Sequence, residues 1–200
     1  QWVFPKDVIK ENGNLFHVVT HEPVLAGRTE KMSKSKKNVV DPQLIIDNFG
    51  ADTARFFMLS DSPPDRDMEW SESGIEGSWR FLNKLWRFVS NLNVKEINDE
   101  LPNKISELNR DLLRSVNTTI DDVTESIDNF HFNNAVASIR SLFNSISSYK
   151  ILNDLDKVIV TYSTKKLIIL INPMVPHIAE ELWQILKNKN MLCHQSWPKA

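Results

Sequence analysis

The spacing of hydrophobic positions changes once along the 200 residues. Up to residue 27 apolar and β-branched side chains come in short runs, as in "LFHVVTHEPVLAG", and Asn12-Gly13 marks the tight turn of a hairpin. After that the period is helical. "DPQLIIDNFG" predicts a helix with Asp41 as N-cap, Pro42 in the first helical position and Gly50 closing it. Apolar stripes predict further helices over about residues 51–59, 75–92, 106–129, 133–149, 155–171 and 176–186. "SPPDRDMEW" interrupts the pattern, because paired prolines cannot continue a helix. The expected fold is mainly α, opened by a short β-hairpin segment. Three regions follow: a strand-rich 1–27, a basic loop with a small helical connector over 28–70, and a helical bundle over 71–200.

Composition narrows the class. With 41% hydrophobic residues, 25% charged residues and only 5 glycines, the chain can bury real cores, which excludes a disordered tail. The longest strongly apolar run, residues 167–171, is far short of the roughly 20 residues that cross a bilayer, and no basic-then-apolar leader opens the sequence. Cys193 stands alone, so no intrachain disulfide can form, and the five histidines do not cluster with cysteines or acids at metal-ligand spacing. A soluble protein of a reducing cytoplasm, without a metal site, is expected. A start at Gln1, directly in strand-like sequence, reads as a fragment of a longer chain.

Charge then singles out one stretch. The formal net charge is -2, yet residues 28–37 gather Arg28, Lys31, Lys34, Lys36 and Lys37 around one acid, Glu30. A basic run is by default a solvated loop. Here small hydroxyl residues separate the lysines, and such a loop can converge on a polyphosphate: ammonium groups neutralise charge while hydroxyls and backbone amides donate hydrogen bonds. If the α-phosphate were attacked and pyrophosphate left, a lysine at the departing oxygens would stabilise the transition state more than bound ATP. No proton transfer is required. Ser33 and Ser35 have no base beside them in sequence and shape the loop rather than act as nucleophiles. Met32 is assigned to packing. For Lys36 and Lys37 a general attraction for phosphate and plain solvated charge stand level.

The five letters "KMSKS", residues 31–35, match the second signature of class I aminoacyl-tRNA synthetases. The following "KNVVDPQLIIDNFGADTARFFML" resembles the segment those enzymes place after it, and Asp41-Pro42 with Gly50-Ala51-Asp52 agrees with the leucine, isoleucine and valine group. "MEWSESGIEGSWRFLNKLW", residues 68–86, is most similar to bacterial-type leucyl-tRNA synthetases. The likeness weakens over about 94–156 and returns in "NPMVPHIAEELW", which resembles the last helices of the anticodon-binding bundle. The resemblance implies that Lys34 and, beside it, Lys31 are catalytic and hold the ATP phosphates together with Ser33, with Mg2+ accompanying ATP. It implies tRNA(Leu), ATP and leucine as partners, a monomer, residues 1–27 as an edge of the catalytic or leucine-specific region, and residues 71–200 as the anticodon-binding domain. The nucleotide-binding fold lies outside these residues, so the fragment alone is expected to be inactive. Two alternatives stay open: a valyl- or isoleucyl-tRNA synthetase fragment, and a noncatalytic bundle that binds tRNA or another protein.

The helix after the connector offers a second surface. Along residues 75–92, Arg80, Lys84 and Arg87 fall in one stripe, while Phe81, Leu82, Leu85, Phe88, Val89 and Leu92 gather opposite. With the resemblance, the basic stripe is assigned to the tRNA backbone. Trp79 and Trp86 share one flank and are assigned to core packing ahead of nucleic-acid contact. His177 is assigned to local capping or packing, His17 and His21 to structure, and Asp121, Asp122, Glu125 and Asp128 to a polar surface.

Overall fold

The computed structural model describes residues 2–92 and 105–200, which divide into two compact units, Gln1–Asp47 and Asn48–Ala200. The first carries a three-stranded antiparallel sheet of β1 (Val8–Glu11), β2 (Asn14–His17) and β3 (Pro23–Val24), in that order. The β1–β2 turn is Asn12-Gly13, with φ of 48° and 88°, the left-handed pair that a two-residue hairpin turn demands. Glu11 faces Asn14 across it, and Phe16 faces Pro23 on the edge strand, where a missing N–H costs least. His17 is structural as expected: its Nδ1 accepts from the backbone N–H groups of Val19 and Thr20, at 3.2 Å each. No residue among 2–47 is fully buried, so this unit has no core of its own.

Helix α1 (Pro42–Phe49) starts where expected, with Asp41 Oδ1 accepting from the Gln43 N–H at 2.9 Å. Gly50, at φ 84°, separates it from α2 (Ala51–Asp61). The helical unit continues with α3 (Glu72–Ser90), α4 (Glu107–Asp128), α5 (Phe132–Ser148), α6 (Asp154–Ile171) and α7 (Pro176–Ile185). Side-chain caps on the first-turn N–H groups start three of them, from Ser71 on α3, Ser106 on α4 and Asn153 on α6. The sequence places the start of α3 three residues late, at Ile75, because the apolar stripe begins there and the cap does not belong to it.

Helix α6 is the centre of the bundle. Apolar residues on several faces are buried, from Ile159 and Val160 to Ile171, and the hydroxyls of Thr161 and Thr164 bond back to the carbonyls of Lys157 and Val160. Helices α4 and α5 pack on each other and on α6. At one end of the bundle the Tyr149 hydroxyl donates to Asn109 and lies 3.4 Å from Asp156, tying the starts of α4 and α6 to the end of α5. Desolvation first, and then the Asp156 carboxylate, raise the Tyr149 pKa above the ordinary phenol range, so the hydroxyl keeps its proton.

Helix α2 corrects the sequence-based division. The sequence groups residues 51–61 with the basic loop, but α2 packs against α3, α5 and α7 as part of the helical unit. Phe56 stacks on Phe81 with ring centroids 5.2 Å apart, and Phe57 is edge-on to Trp70 at 5.4 Å. The close approach depends on Gly74 of α3: a Cβ there would sit 2.5 Å from the Phe57 ring, whereas one on Gly77 would meet nothing within 4 Å. Gly74→Ala should therefore destabilise the helical unit by about 1–3 kcal/mol, the scale of overpacking. Gly77→Ala should stabilise it by up to about 1 kcal/mol, the helix propensity of alanine over glycine. Denaturant midpoints of the two variants check this; equal shifts would show that α2 and α3 are not held at this glycine.

Candidate functional site

The basic stretch is a folded loop. Residues Lys34–Lys36 form a single 3-10 turn, closed by Lys36 N–H to Ser33 O at 3.1 Å and Lys37 N–H to Lys34 O at 3.2 Å, and Lys37 takes a left-handed conformation at φ 53°. Asn38 holds the turn from behind. Its Oδ1 accepts from the Ser33 N–H at 2.7 Å and its Nδ2 donates to Lys31 O at 3.3 Å. The hydroxyls of Ser33 and Ser35 lie 2.7 Å apart, which agrees with serines that shape the loop. Sequence reasoning misses Asn38. The only signal for it is an amide directly after the lysine run, able to donate and accept at once.

The five cations separate into two sets. Glu30 receives Lys36 and, at 3.6 Å, Arg28. The Lys36 hydrogen bond first, and then its charge, hold the Glu30 carboxyl below the ordinary glutamate range. A depressed carboxyl pKa means that this pair favours the folded loop above that range and is lost only as pH falls through the lowered value, so it is intact at neutral pH. Lys37 Nζ lies 5.1 Å from the Phe4 ring centroid. Lys31 and Lys34 are exposed, and among the described residues neither has an acidic partner. Met32, expected to pack, is 44% exposed on the same loop. The turn carries its side chain outward with its neighbours.

On α3 the two faces fall as expected. Leu82, Leu85, Val89 and Leu92 are buried, with Phe81 and Phe88 packed partly against them, and Arg80, Lys84 and Arg87 are exposed. The Lys84 ammonium lies 5.3 Å from the Phe143 ring of α5, and none of the three cations meets an acid among the described residues. The tryptophans differ from the expectation: Trp79 is 41% and Trp86 37% exposed. Their flank borders the core stripe and opens on a groove beside the starts of α2 and α7, which cover it only in part. Asp121, Asp122, Glu125 and Asp128 lie on α4, at its polar surface as expected.

His177 also departs from its assignment. Its side chain is 76% exposed and caps nothing; its Nδ1 lies 2.9 Å from Asp52 Oδ1. The cap of α7 comes from Asp52, whose Oδ2 accepts from the Ile178 N–H at 2.7 Å. Arg55, one turn along α2, donates to the carbonyls of Pro173 and Met174 at 3.3 Å each. Nothing near Asp52 in the sequence points to a partner 126 residues away. Among the described residues no group of three or more His, Cys, Asp or Glu could hold a metal ion, and no helix is long and apolar enough to cross a membrane.

This order of parts, a KMSKS loop followed by a capped helical bundle, defines a class I synthetase segment joined to an anticodon-binding domain. Residues 9–71 match the family described as tRNA synthetases class I (I, L, M and V), and residues 109–200 match the anticodon-binding domain of tRNA ligase. The chain is 44% identical over 200 residues to a leucine-tRNA ligase of Paramagnetospirillum magneticum, and 40% identical over 198 residues to that of Zymomonas mobilis. These alignments cover 100% and 99% of the chain but only 23% and 22% of the relatives' own length. The Agrobacterium radiobacter K84 agnB2 LeuRS, solved as a ternary complex with tRNA and LeuAMS, superposes with a TM-score of 0.74 at 28% identity, over 84% of this chain and 22% of that one. A Mycobacterium tuberculosis methionyl-tRNA synthetase shares the fold, with a TM-score of 0.61 at 21% identity over 78% of this chain and 35% of its own. Over nearly its whole length the chain is similar to leucine-tRNA ligases, and it carries a segment matching the class I tRNA synthetases and one matching their anticodon-binding domain. It spans about a quarter of those relatives' length.

The loop geometry carries a test of its own. Asn38→Ala removes two hydrogen bonds worth about 0.5–1.5 kcal/mol each, so the Ser33 amide should exchange about 2- to 10-fold faster, or more if both bonds act together. Amide hydrogen exchange by NMR reads this directly. An unchanged Ser33 rate would show that the turn holds itself without Asn38.

Proposed function

We propose that this chain supplies, within a leucine-tRNA ligase, the loop that binds the ATP phosphates and the helical unit that binds tRNA(Leu). The observation that carries the reading is the division of charge in the loop. Arg28 and Lys36 are spent on Glu30 and Lys37 lies against Phe4, while Lys31 and Lys34 stand without an acidic partner among the described residues, on a turn fastened by Asn38. A polyphosphate is the ligand that such a turn suits. When the leucine carboxylate attacks the α-phosphate, negative charge passes to the leaving pyrophosphate. Lys34, with Lys31 beside it, neutralises that charge as it develops, and this selective stabilisation of the transition state raises the rate without moving a proton. Ser33 contributes a hydroxyl and its place in the turn. The enzyme's chemistry also needs Mg2+ with ATP and a nucleotide-binding fold outside these residues. As a translation enzyme it works in the cytoplasm.

Exposed Arg80, Lys84 and Arg87 on α3 support the tRNA half of the proposal, since cations unpaired with acids are suited to backbone phosphates, which position a nucleic acid without reading its sequence. In the full-length enzyme Lys34→Ala should lower leucine-dependent pyrophosphate exchange by at least about 100-fold, the scale of losing one transition-state charge stabiliser. Binding of tRNA should barely change. Wild-type exchange in that variant would remove the ATP assignment.

A further inference from the structure

The flank of α3 that holds Trp79 and Trp86 has no part in the proposed function. At ~100° per residue the two tryptophans lie within about 20° of each other, Asn83 lies beside them, and Arg87 and Arg80 follow further round the helix. Trp79 and Trp86 line an open groove of about 320 Å³ with Phe49, Thr53, Asn83 and Ile178. Its other walls are the start of α2 and the first turn of α7. Two of the groove's polar side chains are already engaged: Asn83 Nδ2 donates to Trp79 O at 2.8 Å, and the Asp52 carboxylate serves Ile178 and His177. What remains open is aromatic surface with two guanidinium groups at its side. The acids of α3, Glu72 and Glu76, lie toward its N-terminal end, so the C-terminal half of the helix carries only positive charge.

Tryptophan faces beside unpaired arginines fit one kind of occupant well. Bases that leave their helix stack on aromatic side chains, while the phosphates on either side seek cations. We propose that Trp79 and Trp86 form a stacking floor for an unpaired nucleotide of the RNA, with Arg80 and Arg87 taking the flanking phosphates. The inference rests on the tRNA reading and adds a contact to a base, where the basic stripe alone would touch only backbone. It accounts for two large apolar side chains standing exposed beside a packed core, on a helix whose other apolar residues are covered. Such aromatic anchors are what recognition surfaces keep open.

The test uses the full-length protein and a transcript of tRNA(Leu). Trp79→Leu and Trp86→Leu keep apolar bulk but remove the stacking face. Each should weaken binding by about 5- to 150-fold, the range for one stacked base, and should leave the slope of binding against salt unaltered, because no phosphate contact is lost. Trp86→Phe keeps a ring and should stay within about threefold of wild type. A second measurement does not depend on the variants folding: in fluorotryptophan-labelled protein the resonances of Trp79 and Trp86 should shift on adding the transcript. Wild-type affinity in both leucine variants, or unmoved resonances at saturation, would overturn the stacking floor. So would a loss of stability with unchanged affinity, which would make the flank an intramolecular packing face. If charge reversal at Arg80 and Lys84 weakens binding and the leucine variants do not, only the stacking proposal falls. If the wild-type protein does not bind the transcript, the tRNA reading beneath it falls too.

Discussion

The helical unit depends on one carboxylate. Asp52 sits in the first turn of α2, where an acid ordinarily helps its own helix, yet its Oδ2 accepts the Ile178 N–H of α7 at 2.7 Å. Helix α7 opens on Pro176 and has no side-chain cap of its own, so this bond satisfies an end that would otherwise be left with orphan donors. Arg55 completes the clamp on the carbonyls of Pro173 and Met174. With α2 held at the α6–α7 corner, Phe56 and Phe57 are placed for Phe81 and for Gly74 of α3. That contact sets the rotation of α3. One side of it is then core, and the opposite side presents Arg80, Lys84 and Arg87 to solvent.

Much of this was legible in the sequence because it is local. The period of α3 places its two faces, Asn12-Gly13 can only make a tight turn, and Asp41, Pro42 and Gly50 frame α1 with chemistry contained in one short segment. What was not legible depends on partners distant along the chain. Gly50-Ala51-Asp52 could be matched to a family pattern, but not to the α7 N-terminus that gives Asp52 its role. The flank of Trp79 and Trp86 could be read, yet whether another element covers it is a property of the tertiary fold. In the loop, the lysine spacing was visible, whereas its division into paired and unpaired cations required the geometry of Glu30, Phe4 and Asn38.

In the proposed function a chain with a formal net charge of -2 serves anionic ligands, which the segregation of its charges allows. Acids gather on α4, where Glu107 and Asp111 also pair with Arg110 and Arg114. Among the described residues, cations without an acidic partner include Arg80, Lys84 and Arg87 on α3 and Lys31 and Lys34 on the loop. These two sets belong to different compact units. In the proposed function they also belong to different steps: Lys31 and Lys34 to a leaving pyrophosphate, Arg80 and Lys84 to a nucleic-acid backbone.

Separability of the two steps is therefore the central claim, and the salt dependence of tRNA binding by the full-length enzyme carrying Arg80→Glu with Lys84→Glu tests it most directly. Binding should weaken, and the slope of log affinity against log salt should flatten by about one to two units, since each lost phosphate contact removes close to one. Leucine-dependent pyrophosphate exchange, measured on the same preparation, should survive. An unchanged slope, or a loss of exchange together with tRNA binding, would contradict the account.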